Sequence, residues 1–153
     1  LVVSTLHTNS TAATIDRLVD MGVEPYLVAD ALVGIIAQRL ARRLCVNCKE
    51  AYEATESEKK ELGLDVTKPY TLYRHKGCAK CDGTGYRGRI GIFETMDMTP
   101  EIRDLVAKKA PTGQVRKLSI EQGTHTLLYG YKKLVRDGVT SLFELHRAEY
   151  SEE

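Results

Sequence analysis

The chain has 153 residues, 42% of them hydrophobic and 28% charged, with a formal net charge of +1. That is enough apolar material for one medium domain or two small ones, and so balanced a charge gives no global reason to expect a nucleic-acid partner. No run approaches the ~18 apolar residues of a membrane span, no basic-then-apolar segment reads as a secretory signal, and a start at Leu1 predicts a piece of something longer.

The opening "LVVS" reads as a strand buried on both faces, which needs parallel neighbours that the rest of the chain does not supply. A polar turn, "STLHTNST", follows. The next stretch, "AATIDRLVDMG", sets Ala12, Ile15, Leu18 and Val19 on one helical face and closes at Gly22. Pro25 suits the first turn of a second helix, and the chain is then apolar almost all round as far as Gln38. This pattern predicts a helix over 25–44, buried in a larger body. Without that body it would self-associate through Leu32, Ile35, Ile36 and Leu40.

All four cysteines fall in two C-x-x-C pairs, Cys45 with Cys48 and Cys78 with Cys81. Zinc(II) favours four tetrahedral thiolates, and a C-x-x-C turn presents two sulfurs on one side of a tight knuckle. Two disulfides, or four reduced thiols, are the other readings of the same residues. Just beyond the second pair, Gly83, Gly85 and Gly88 spell G-x-G-x-x-G. A dinucleotide loop needs a strand before those glycines and a helix after them. Here a cysteine turn precedes them, and "RIGIFE" follows with Ile90, Ile92 and Glu94 on one face of a strand. The glycines are better explained by a backbone that folds close to the sulfurs at positive φ and offers them N–H groups.

Within this cysteine insert, Thr55 and Glu58 predict a capping box over "SEKKEL", and "YTLYR" reads as a strand able to pair with "GRIGIFE". A basic cluster of Arg74, His75, Lys76, Lys80, Arg87 and Arg89 is interleaved with Tyr70, Tyr73 and Tyr86. It could bind a single-stranded nucleic acid by stacking, or it could balance the negative charge of a zinc–thiolate centre. The last third is helical. Thr99-Pro100, Thr112 and Thr126 open three helices, Gly123 and Gly138 stop two of them, and Ser141 with Glu144 caps a final one over "LFELHR". Each is too short to stand alone, so Leu105, Leu118, Leu127, Tyr131, Leu134, Leu142 and Phe143 are expected to share one core.

Four stretches, "STLHTNS", "AQRLARRLC", "GCAKCDGTGYRGRIGIFE" and "DGVTSLFEL", occur in this order and together resemble the GspE/PilB-type traffic ATPases. These are cytoplasmic hexameric motors of type II secretion and type IV pilus assembly. The resemblance implies an α/β parent with a RecA-like P-loop ATPase core. Of that core this chain would hold only the C-terminal part, being itself mainly α with a small zinc-binding β insert and a C-terminal helical subdomain. It implies three parts, 1–44 from the ATPase core, 45–93 as a tetracysteine zinc subdomain and 94–153 as the helical subdomain. It also implies zinc at Cys45, Cys48, Cys78 and Cys81, with ATP and magnesium in the full-length parent.

In that family "STLHTN" is similar to a His box at the end of a core strand, which makes His7 the candidate catalytic residue. Arg39 is similar to an arginine bordering the nucleotide cleft, whereas Arg42 and Arg43 read as solvated cations at a helix end. Retraction motors of the superfamily generally lack the cysteine insert, so an assembly or secretion motor is favoured. Its expected partners are its own copies in a hexamer and inner-membrane platform proteins, placing it in the cytoplasm at the inner membrane, with no nucleic acid. No G-x-x-x-x-G-K-[ST] string occurs, so the chain by itself is not expected to hydrolyse ATP. Thr124, Leu128 and Tyr129 depart from the usual family residues. A rival resemblance, of "CAKCDGTG" to the repeated zinc unit of DnaJ, rests on a single copy, since "CVNCKEAYE" lacks the glycines.

Overall fold

A computed structural model of the chain describes residues 1–149. Among these residues the order of elements is α1 (Thr11–Asp20), α2 (Pro25–Ala31), β1 (Gly34–Leu44), β2 (Glu50–Glu53), α3 (Glu56–Glu61), β3 (Thr71–Arg74), β4 (Tyr86–Asp97), α4 (Pro100–Ala107), α5 (Thr112–Glu121), α6 (Leu127–Arg136) and α7 (Leu142–Glu149). The architecture is mixed, with helices and two small two-stranded sheets, β1 with β4 and β2 with β3. No helix among the described residues is long and apolar enough to cross a membrane. The chain divides into two compact units. One takes residues 1–38 and 93–127, the other 39–92 and those from 128 onward.

The core of the first unit is the expected face of α1, Ala12 and Ile15, packed with Val28, Met96, Ile102 and Val106. Ser10 caps α1 by accepting the Ala13 N–H, and Thr99 caps α4 by accepting the Ile102 N–H, the latter at the helix opening expected of it. At α5 the first turn begins at Thr112 itself, whose hydroxyl donates to Asp16 instead of capping its own helix. Arg103 fans its guanidinium over the end of α2, donating to the carbonyls of Asp30 at 3.0 Å and Leu32 at 2.6 Å. These are carbonyls that a helix C-terminus leaves without intrahelical partners.

Three expectations are corrected here. "LVVS" forms no strand. Residues 1–8 have no regular structure, and Leu1, Val2 and Val3 are exposed, as follows for a segment without strand neighbours. The helix expected over 25–44 ends at Ala31, and Leu32 turns the backbone to ψ 133°. The remainder is β1, in which Ile35, Ala37 and Ala41 point inward while Ile36 and Leu40 point out. Period-two burial wins because β4 offers a pairing edge. The two strands run antiparallel, bounded by Met98 N–H donating to Val33 O in the first unit and Cys45 N–H donating to Gly85 O in the second. The self-association surface drawn on a helical Leu32, Ile35, Ile36 and Leu40 therefore does not exist in that form. The third correction concerns the shared core. Leu105, Leu118 and Leu127 belong to the first unit, Tyr131, Leu134 and Leu142 to the second, and Phe143 is exposed.

Glu94, on β4, is buried and accepts three hydrogen bonds. They come from the Thr11 N–H at 2.9 Å, the Thr11 hydroxyl at 2.6 Å and the Leu127 N–H at 3.1 Å. One carboxylate thus satisfies the first N–H of both α1 and α6, where backbone donors are unpaired and the local field favours negative charge. Glu94→Ala should destabilise the chain by about 3 kcal/mol in urea unfolding, because buried donors would be left unsatisfied. A loss below about 0.5 kcal/mol would mean that water or rotation replaces the carboxylate easily.

Candidate metal centre

The second unit gathers all four cysteines. Each pair sits on the same tight turn. In the first, Cys48 and Lys49 donate their N–H groups to the Cys45 carbonyl at 3.2 and 3.0 Å. In the second, Cys81 and Gly83 donate to the Cys78 carbonyl at 3.1 and 3.0 Å. The Cys45 N–H then donates to Gly85 O at 2.9 Å and holds the two turns side by side. The sulfurs of Cys45 and Cys78 are 4.0 Å apart, those of Cys48 and Cys81 3.8 Å, and those of Cys78 and Cys81 3.7 Å.

Those spacings exclude the disulfide reading of the sequence. A disulfide requires sulfurs at about 2.05 Å, and all four cysteines are free. A tetrahedron of sulfurs at about 2.3 Å from a common centre has edges of about 3.8 Å. The four Sγ atoms fit such a centre, all lying within 4.8 Å of one another.

The backbone around the sulfurs is arranged for thiolates. Cys81 Sγ accepts the N–H groups of Cys78 and Gly85, each at 3.2 Å, and Cys78 Sγ accepts from Asn47 Nδ2 at 3.4 Å. Gly85 therefore donates to sulfur as expected, whereas the Gly83 N–H goes to a carbonyl. Gly85 has φ +77°, and a Cβ there would collide with His75, so this close approach requires glycine. Burial raises the Cys78 thiol, but Asn47 and the Lys80 N–H outweigh it and bring the group down to about 6. Cys81 is also lowered, burial being opposed by the N–H groups of Cys78 and Gly85. Cys48 is pushed up to about 11 by burial and by its neighbouring thiols.

The elements between the knuckles are short. The predicted capping box at α3 forms in full, with Thr55 Oγ1 accepting the Glu58 N–H at 3.3 Å and Glu58 accepting the Thr55 N–H at 2.8 Å. The expected pairing of "YTLYR" with "GRIGIFE" does not form. Instead β3 pairs antiparallel with β2, Glu50 opposite Arg74 and Glu53 opposite Thr71, because the joined knuckles bring the two ends of the insert together.

Half of the basic cluster, Arg74, His75 and Lys76, is committed inside the unit. Glu50 binds Lys76 at 2.6 Å and Arg74 at 3.3 Å. Tyr86 is buried, its hydroxyl 2.5 Å from Ser141 Oγ and 3.1 Å from His75 Nδ1, with the Arg42 guanidinium 4.2 Å over its ring. Arg42 is not the solvated helix-end cation that its position in "LARRL" suggested. It lies on β1 and holds the buried Glu144 carboxylate through two nitrogens at 2.8 and 2.7 Å, which raises its own pKa further. Glu144 is thereby drawn away from the expected reciprocal cap, although Ser141 Oγ still accepts the Glu144 N–H at 3.3 Å. Sequence reading missed this pair, as nothing local links residues so far apart in the chain. His7 and Arg39 are not brought together by either unit. His7 is exposed in the irregular start of the first, and Arg39 is half-buried on β1 in the second.

The family model for "Type II/IV secretion system protein" matches residues 1–147. The chain belongs to that family. Among its curated relatives, type II secretion system protein E of Pseudomonas aeruginosa is 41% identical over 99% of this chain and 30% of its own length. Type II secretion system ATPase E of Vibrio cholerae is 42% identical over 96% of this chain and 29% of its own. Type IV pilus assembly ATPase PilB of Myxococcus xanthus is 38% identical over 95% and 26%. The chain thus spans less than a third of the length of these secretion-family relatives.

The two outer thiols should differ sharply in reactivity once any metal is removed. At pH 7 a group near 6 is mostly thiolate, while one near 11 is almost wholly thiol. Iodoacetamide should therefore alkylate Cys78 at least ~10 times faster than Cys48 in chelator-treated protein that keeps its circular dichroism. The advantage should fade as pH falls below about 6, where Cys78 takes up its proton. Equal labelling at pH 7, read by peptide mass spectrometry, would contradict the asymmetry.

Proposed function

We propose that the chain is the C-terminal portion of a hexameric, ATP-hydrolysing motor that powers type II protein secretion or type IV pilus assembly, and that its four cysteines hold a structural zinc ion. The observation that carries the reading is similarity across at least 95% of the chain to relatives named for those two assemblies. The parts of this motor are residues 1–44 from a RecA-like ATPase core, the zinc subdomain at 45–93 and the helical subdomain from 94 onward. It works in the cytoplasm against platform proteins of the inner membrane.

The donor set supports zinc. Four sulfurs with no nitrogen or carboxylate among them suit a closed structural site, which leaves no position for a reacting water. Cys45, Cys48, Cys78 and Cys81 hold the ion, and the N–H groups of Cys78 and Gly85 with the Asn47 amide offset the thiolate charge. ATP and magnesium bind the full-length motor, where magnesium offsets the charge of the phosphates. His7 would orient the attacking water or the transferred phosphate, and Arg39 would stabilise charge developing on the phosphate oxygens. Thr11, two residues beyond the "HTN" triplet, is fixed by Glu94.

In the full-length protein, His7→Ala should lower ATP turnover by on the order of 10²-fold with the KM for ATP little changed. Undiminished turnover would remove His7 from the chemistry and leave the motor standing. Full-length protein that forms no hexamer and hydrolyses no ATP would overturn the motor itself.

A further inference from the structure

A second group of metal-binding side chains lies in the cysteine-bearing unit, away from the four sulfurs in sequence. It consists of Glu61, the last residue of α3, and of His146 and Glu149 on α7. One ligand atom from each lies within 4.8 Å of the others. His146 and Glu149 are three residues apart on one helix, so they share a face one turn apart. Glu61 approaches that face from the other helix, with Oε1 at 2.6 Å from His146 Nε2.

We propose that Glu61, His146 and Glu149 form a second metal site, specific for a divalent first-row transition ion and distinct from the four-cysteine centre. An imidazole with two carboxylates disfavours calcium and magnesium, which take oxygen alone, and suits zinc, cobalt or nickel. Three protein ligands leave positions for water, so this is an open site in contrast to the closed sulfur site. The His146 and Glu61 side chains are 42% and 30% exposed, enough for an ion to enter from solvent. Glu58 stands one turn before Glu61 on α3 and adds a further carboxylate to that helix. Without the ion, His146 Nε2 and Glu61 Oε1 are hydrogen-bonded at 2.6 Å, and a bound ion would take Nε2 in place of that contact. An ion held this way links the end of α3 to α7, two helices that their own sequences leave short.

The test is a count of zinc by equilibrium dialysis and elemental analysis, at about 100 μM free zinc, a concentration that fills a micromolar site. The chain is compared with His146→Ala and Glu149→Gln. We expect the unsubstituted chain to bind one zinc more than either variant, whatever the four cysteines take. Cobalt separates the two sites, because only thiolate ligation gives intense sulfur-to-metal absorption, and the variants should keep that band in full. Equal zinc in the chain and in Glu149→Gln would overturn the proposal, and so would a variant that loses the sulfur band but not the extra equivalent. Should His146→Ala fail to fold by circular dichroism, Glu149→Gln and Glu61→Gln decide.

Discussion

Four sulfur atoms held about one tetrahedral edge apart are the constraint on which the second unit depends. Residues 49–77 lie between the knuckles, and nothing they contain could order itself alone. The two strands have four residues each and α3 has six. Joining Cys45 and Cys48 to Cys78 and Cys81 closes this loop and sets β2 beside β3 in a single register. The cost of closing it grows only slowly with its length, so the proposed metal would suffice to organise a long insert. Asn47 and Gly85 donate to the sulfurs of Cys78 and Cys81, and Lys49 donates to the Gly138 carbonyl at 2.9 Å, its ammonium 4.2 Å from the centre of the Tyr73 ring.

A different device fixes the first unit. Buried carboxylates are costly unless they are fully hydrogen-bonded, and Glu94 meets that condition by receiving the first N–H groups of two helices. Arg42 and Glu144 play the equivalent part in the second unit, a buried carboxylate answered by a forked guanidinium. Removing one partner of such a pair leaves the other stranded. Both arrangements join parts of the chain that lie far apart in sequence, so they determine which helices and strands meet.

What the sequence made legible was the chemistry whose partners are close along the chain. The C-x-x-C pairs, the capping box of Thr55 with Glu58, and the cap at Thr99 all follow from spacings of two to four residues. "GIIAQRLA" could not be settled that way, since its apolar residues fit a buried helix and an alternating strand alike, and only the presence of β4 selects the strand. The mispairing of "YTLYR" has the same origin. Alternation identifies a strand but not its neighbour, and the cysteine junction chose β2. Glu94 was visible on one face of a strand with Ile90 and Ile92, yet its role depends on two helix ends that no local pattern connects to it. Family resemblance reached further than pattern did, naming the secretion family that the comparison with known proteins then established.

The proposed zinc cross-link is tested most directly by X-ray absorption on the chain loaded with a single equivalent of zinc. The account predicts one tightly held ion with four sulfur neighbours at about 2.3 Å and no nitrogen or oxygen in the first shell. A mixed sulfur and nitrogen or oxygen shell, or intact protein that retains less than about a third of an equivalent after dialysis, would contradict it.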